Sequence, residues 1–166
     1  YVAAEKTLKN ENRAPKMILE AGVESFSERE KYDIFLSHSI KDAKAVLGVK
    51  EIFKSKGFNV YVDWLDDPQL DRSMVDRNTA RKIRERMTVC NKLLYLCSEN
   101  AIKSKWTPWE LGFMDGQERD VFILPIKKIY TDTFNGVEYL SIYPYIDFTA
   151  DDIYINNNGI RTIFRK

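Results

Sequence analysis

Four short, continuously apolar runs punctuate the chain: Ile34-Phe35-Leu36, Val60-Tyr61-Val62, Leu93-Leu94-Tyr95-Leu96 and Val121-Phe122-Ile123-Leu124, with a weaker fifth at Tyr145-Ile146-Asp147-Phe148. A strand with one wet face alternates apolar and polar residues, whereas a strand covered on both faces is apolar throughout. These runs therefore read as strands of a parallel sheet lying between helices. The segments between them have helical spacing and recognisable ends. Asp42 is placed to cap a helix that buries Val46, Val49 and Phe53, with Gly57 at its stop. Ala80, Ile83, Met87 and Cys90 recur on one face of the next. The alternation β-α-β-α-β-α-β implies right-handed crossovers and a flavodoxin-like three-layer α/β sandwich, with a parallel five-stranded sheet in the order 2-1-3-4-5.

At 166 residues the chain fits one ordinary domain plus a tail. Its 44% apolar and 31% charged residues suit a soluble globular protein, and no run approaches the ~18 apolar residues that span a bilayer. No membrane partner is expected, and a net charge of +1 gives no sign of nucleic acid. Cys90 and Cys97 sit inside apolar patterns without metal-like spacing, as reduced core thiols of a cytoplasmic protein do. Residues 1–31 are polar, weakly periodic and broken by Pro15, and are expected to be a linker or the end of an upstream element; residues 32–166 form the domain. The start at Tyr1, with no signal-peptide pattern after it, suggests a segment of a longer protein. No glycine-rich phosphate loop follows the first strand, which argues against a Rossmann dehydrogenase or a P-loop nucleotidase.

In sheets of this order ligands bind outside the carboxyl ends of strands 1 and 3, where the order reverses. That rule selects the loop Ser37-His38-Ser39-Ile40-Lys41-Asp42 and the loop Ser98 to Trp106, which leads into Glu110. Strand 2 ends nearby at Asp63-Trp64 and continues into a long acidic loop, Leu65 to Ser73, suited to cover the crevice. Two readings of Glu110 stay open on the residues alone. Thr107-Pro108-Trp109-Glu110 is a good capping box, with Thr107 as N-cap, Glu110 as its carboxylate and Trp106 with Leu111 as a hydrophobic staple. Alternatively Glu110 faces the crevice as a functional carboxylate. His38 is the sole histidine and reads first as a satisfied strand-end residue; Asp66, Asp67 and Asp71 read as turn and cap residues, so no metal is expected. The basic residues Arg77, Arg81, Lys82, Arg84 and Arg86 form a solvated helix face.

Three stretches in order, Tyr32 to Ser39, Gly57 to Asp63 and Ser104 to Gly112, resemble the successive motifs of a TIR (Toll/interleukin-1 receptor) domain of the bacterial, NAD-cleaving type, over about residues 31–150. The resemblance implies that NAD+ is the substrate rather than a cofactor, that Glu110 is the essential carboxylate and that Trp106 is its companion. It places Asp66, Asp67, Pro68 and Leu70 in the family's BB loop, which gates the site and takes part in homo-oligomeric TIR–TIR assembly. It further implies a cytoplasmic enzyme, or one delivered to a host cell, acting in bacterial defence or virulence. The chemistry agrees: nicotinamide leaves as a neutral base, so cleavage needs a fixed carboxylate facing a cationic ribose rather than an acid on the leaving group. Glu110 near a helix N-terminus is expected to stay ionised. Trp106 offers a face for nicotinamide or for folded-back adenine, Ser37, His38 and Asp63 line the same strand ends, and Lys105 is placed to meet the pyrophosphate. Two alternatives remain: a TIR module that signals by self-association without catalysis, and cleavage of another N-glycoside, as nucleoside deoxyribosyltransferase-like enzymes perform.

Overall fold

The computed structural model describes residues 31–126 and 138–166. The expectations for residues 1–30, and for the part of the last crossover at 127–137, lie outside the described residues. Strand β1 (Tyr32–Ser37) leads through a 3-10 turn (Ile40–Asp42) into α1 (Ala43–Ser55), and β2 (Val60–Tyr61) into the short α2 (Asp63–Asp66). After the long loop come α3 (Arg77–Thr88), β3 (Cys90–Cys97), α4 (Glu99–Ile102), α5 (Thr107–Gly116) and β4 (Asp120–Pro125). A 3-10 helix (Glu138–Ile142) precedes β5 (Tyr145–Phe148), β6 (Ile153–Asn157) and β7 (Ile160–Ile163).

The sheet order is β2-β1-β3-β4-β5-β6-β7. Its first five strands are parallel in the expected order. The expectation of five strands is corrected by β6 and β7, which extend the sheet antiparallel from β5. Asn158 and Gly159 make the hairpin turn between them, with φ of 49° and 82°. Two consecutive positive φ values are what a right-twisted two-residue hairpin requires, and Asn-Gly is the dipeptide that adopts them most readily.

Alternate residues of each strand feed two apolar layers. On one face Phe35, Tyr61, Leu93, Tyr95 and Ile123 meet Ile83 and Met87 of α3 and Leu111 and Met114 of α5. On the other, Ile34, Leu36, Leu94, Leu96 and Phe122 meet Val46, Val49 and Phe53 of α1. Two-sided burial is the physical reason the strand sequences are apolar throughout. The tail completes the second layer: the Phe164 ring lies 5.4 Å from Phe53, 5.1 Å from Phe58 and 5.1 Å from Phe122.

Helix α1 stops as expected. Gly57 has φ of +83°, its N–H bonds the Lys54 carbonyl at 2.9 Å, and the Phe58 N–H bonds that of Phe53 at 3.0 Å, a Schellman ending. Its start differs, because the Asp42 side chain makes no capping bond. It accepts instead from Ser98 Oγ at 2.5 Å and Asn100 Nδ2 at 2.7 Å, tying the loops after β1 and β3 together. In α3, Arg77, Arg81, Lys82 and Arg84 are exposed as expected, while Arg86 turns back to Asp67 at 2.9 Å. Among the described residues no helix is long and apolar enough to cross a membrane.

Candidate active site

The crevice at the strand-order reversal is built from four segments: the end of β1, the start of α2, the loop after α2 and the first turns of α5. Glu110 is fully buried on α5. Its Oε2 accepts the Ser37 hydroxyl at 2.5 Å, across the gap between β1 and α5. Its Oε1 is paired with Nη2 of Arg72. The other arm of the same guanidinium, Nη1, lies 2.6 Å from Asp63 Oδ2. One cation thus bridges two buried carboxylates.

This geometry corrects the capping-box reading. Helix α5 begins at Thr107, with Trp106 as N-cap, and the Glu110 carboxylate turns into the crevice rather than back to the cap. The first amides are served by Ser104, whose Oγ accepts from the N–H of Trp106 at 3.2 Å and of Thr107 at 3.4 Å. Thr107 itself donates to the Ala101 carbonyl at 2.6 Å, fastening α5 to α4. Pro108 fits the first turn, where its missing N–H costs nothing.

The electrostatics differ from the helix-dipole expectation as well. Burial pushes the Glu110 carboxyl above the usual glutamate range, opposed by the Arg72 charge and the Ser37 hydrogen bond. For Asp63 burial also raises, but the Arg72 guanidinium and the surrounding hydrogen bonds win and hold it below the usual carboxylate range. Burial disfavours the Arg72 charge, yet Glu110 and Asp63 outweigh that and raise it. The guanidinium is therefore charged at every working pH, and the dipole of α5 is secondary to it.

Trp106 is almost fully covered, at 8% exposure. Its indole N–H donates to the Arg72 backbone carbonyl at 2.8 Å, and its ring meets Trp109 edge-on with centroids 5.5 Å apart. Trp109 stacks in turn on Phe113. His38 is a satisfied strand-end residue: Nδ1 lies 2.7 Å from the Leu36 carbonyl and Nε2 accepts the Trp64 indole N–H at 2.6 Å. Those partners assign the neutral tautomer with hydrogen on Nδ1. Asp63 Oδ1, 3.4 Å from the same Nε2, is accordingly a neighbour and not an ion-pair partner.

Ser37, Asp63, Trp106 and Glu110 come together, with His38 behind Asp63. Lys105 does not join them; it is exposed and makes no hydrogen bond or ion pair among the described residues. The loop residues also divide. Asp66 is buried, held by Lys50 Nζ at 2.9 Å and by the Val62 N–H at 2.6 Å, so it is part of the core wall and not a lid. Asp67 pairs with Arg86, Leu70 is buried, and Pro68 is exposed. The residue that covers the carboxylate is Arg72, which the sequence reading passed over. The available signal was a single cation in an otherwise acidic loop facing a lone glutamate.

Likeness to known proteins follows the same outline. The family model described as "TIR domain" matches residues 34–162. A "Probable 3' cyclic ADP-D-ribose synthase ThsB'" of Bacillus cereus (strain MSX-D12) is 46% identical over 156 residues, 90% of this chain and 81% of that protein. A "Probable 2' cyclic ADP-D-ribose synthase TcpO" of Methanobrevibacter olleyae is 34% identical over 103 residues, 59% of this chain but only 28% of that protein. In fold, the chain resembles the crystal structure of the TIR domain of the Toll-related receptor TRR-2 of Hydra magnipapillata, with a TM-score of 0.50 and 15% identity, over 64% of this chain and 80% of that one. Motif order, parallel sheet and family match over most of the length agree, and the chain belongs to the TIR domain family.

Proposed function

We propose that this TIR domain is an enzyme that cleaves the nicotinamide–ribose bond of NAD+ and closes the ribose onto its own adenosine, giving nicotinamide and a cyclic ADP-ribose isomer. Capture by water instead gives linear ADP-ribose. The observation that carries the reading is the Glu110 carboxylate, buried near the Trp106 indole at the strand-order reversal and held by the Ser37 hydroxyl. The 46% likeness to a probable cyclic ADP-ribose synthase supports the cyclic product.

The C1′–N bond breaks heterolytically, its electron pair leaving with nicotinamide as a neutral base and a positive charge spreading over C1′ and the ring oxygen. An ionised Glu110 faces that charge at short range, and the Ser37 hydroxyl holds the carboxylate in place. Buried away from solvent, such preorganised charge acts far more strongly than in water. The Trp106 ring supplies a flat wall for folding the adenosine end back, so that an adenosine nucleophile competes with water for C1′. The proton of either nucleophile passes to Glu110 or to solvent. NAD+ is consumed as substrate, and no resident cofactor enters the scheme. The setting we attach to this chemistry is the cytoplasm of a producing or host cell, where NAD+ is abundant, with homo-oligomeric assembly through the loop after α2.

Incubating the concentrated domain with NAD+ and resolving products by chromatography and mass tests the reading. Nicotinamide with a product one water lighter than ADP-ribose is expected, and free nucleosides left intact. Persistence of NAD+ at every protein concentration, or turnover of nucleosides in its place, contradicts it.

A further inference from the structure

We propose that Arg72 is an internal stand-in for the cationic substrate group: its guanidinium fills the cation subsite on Glu110 while its backbone carbonyl tethers Trp106, so one loop residue closes both halves of the site. The cation's identity rests on the reading above; the closure itself does not.

Three observations converge. First, the guanidinium is planar, delocalised and singly positive, as is a ribosyl cation, and it sits on the carboxylate oxygen opposite the one that Ser37 holds. Glu110 has no exposed surface while it is there, so ribose and guanidinium are mutually exclusive occupants. Second, the Trp106 indole N–H bonds the carbonyl of this same residue at 2.8 Å, which couples release of the carboxylate to release of the indole. Third, among the described residues every hydrogen bond that ties residues 71–75 to the rest of the fold runs through Arg72. Its neighbours Asp71, Ser73, Met74 and Val75 are exposed, and the other bonds there, from Ser73 to Asp71, are internal to the loop. Release of that one residue would therefore free the segment from the site, and Asp63, anchored at the start of α2 by the Trp64 N–H, is the post from which the guanidinium reaches Glu110.

A competing internal occupant multiplies the apparent affinity for substrate by the open fraction, so the apparent Kd is the intrinsic one divided by that fraction. Arg72→Ala and Arg72→Gln should therefore lower KM for NAD+ by about tenfold or more, with kcat within about twofold of the parent. Millimolar ethylguanidinium should slow Arg72→Ala competitively with NAD+ and leave the parent untouched. If the parent cleaves NAD+ and both variants, folded by their melting curves, show an unchanged or higher KM, the stand-in is overturned and Arg72 binds substrate or only supports the loop. If none of the proteins cleaves NAD+, the functional reading fails, and exchange of the Trp106 indole N–H followed by NMR decides the closure separately. Faster exchange in the Arg72 variants than in the parent sustains it, and equal protection in all of them overturns it.

Discussion

Replacing Lys50 by Met separates the part of the loop region that is framework from the part that moves. The Lys50 and Asp66 side chains are 10% and 1% exposed, with Nζ 2.9 Å from Oδ1 and 3.0 Å from Oδ2. Methionine keeps the apolar stem and removes the charge, taking the Lys50 cation away from a carboxylate that stays buried. Breaking a buried pair from one side costs about 3–5 kcal/mol, because the remaining charge loses that attraction and keeps its desolvation penalty. For a domain of this size each kcal/mol moves the melting temperature by roughly 2–4 °C, so a fall of roughly 6–20 °C is expected. The double variant Lys50→Met/Asp66→Asn should recover much of that loss. Its amide oxygen still accepts the Val62 N–H that Asp66 Oδ2 now accepts at 2.6 Å, and neither position of the pair then carries a charge. Pro68→Ala, at an exposed position two residues further on, should change stability by no more than about 0.5 kcal/mol. Thermal and urea unfolding followed by circular dichroism read all three. Lys50→Met within about 1 kcal/mol of the parent would refute the assignment of Asp66 to the framework.

Phe164→Ala should cost about 3–5 kcal/mol in urea unfolding, since the ring fills the layer between Phe53, Phe58 and Phe122; a loss below about 1 kcal/mol would detach the tail from the core. Trp106→Ala should shift the products of NAD+ from cyclic towards linear, or abolish turnover, measured by chromatography of the reaction mixture; an unchanged ratio at unchanged rate contradicts the adenosine wall. Glu110 must be ionised to face a cation, and burial raises its carboxyl above the ordinary 4.5. The protonated, inactive form therefore persists to higher pH than for an exposed glutamate, and kcat/KM should fall as pH drops through a value above 4.5. An acid limb at or below that value contradicts the direction of the shift.

The parallel sheet was legible because burial on both faces imposes a simple pattern on β1, β3 and β4, and the order reversal then pointed to the loops that carry Ser37 and Glu110. The β6–β7 hairpin was missed although Asn158-Gly159 announces it; the flanking residues Tyr154 to Asn157 and Ile160 to Ile163 are half-buried or exposed, so the continuous-apolar rule had nothing to find there. The first turn of α5 misled for a different reason. Thr107 and Glu110 carry capping-box residue types, but each has a partner distant in sequence or on another helix: Ala101 for the hydroxyl, and Ser37 and Arg72 for the carboxylate. Local propensity loses to such tertiary bonds, which a reading along the chain cannot see. Asp42 shows the same, its carboxylate drawn from the cap to Ser98 and Asn100. Lys105 was placed by adjacency to Trp106, yet successive residues at a helix entrance diverge, and only the indole turns inward. Arg72 was hidden by its neighbours, since a loop read as acidic disguises the one residue that reaches the carboxylates.

The central claim is that the Glu110 carboxylate drives cleavage of the nicotinamide–ribose bond. The most direct test is the initial rate of nicotinamide release from NAD+ by the parent and by Glu110→Gln, at equal protein concentration and with matched melting curves. Release by the parent and a rate lower by roughly 10²- to 10⁴-fold in the variant are expected. Equal rates in the two proteins would contradict it.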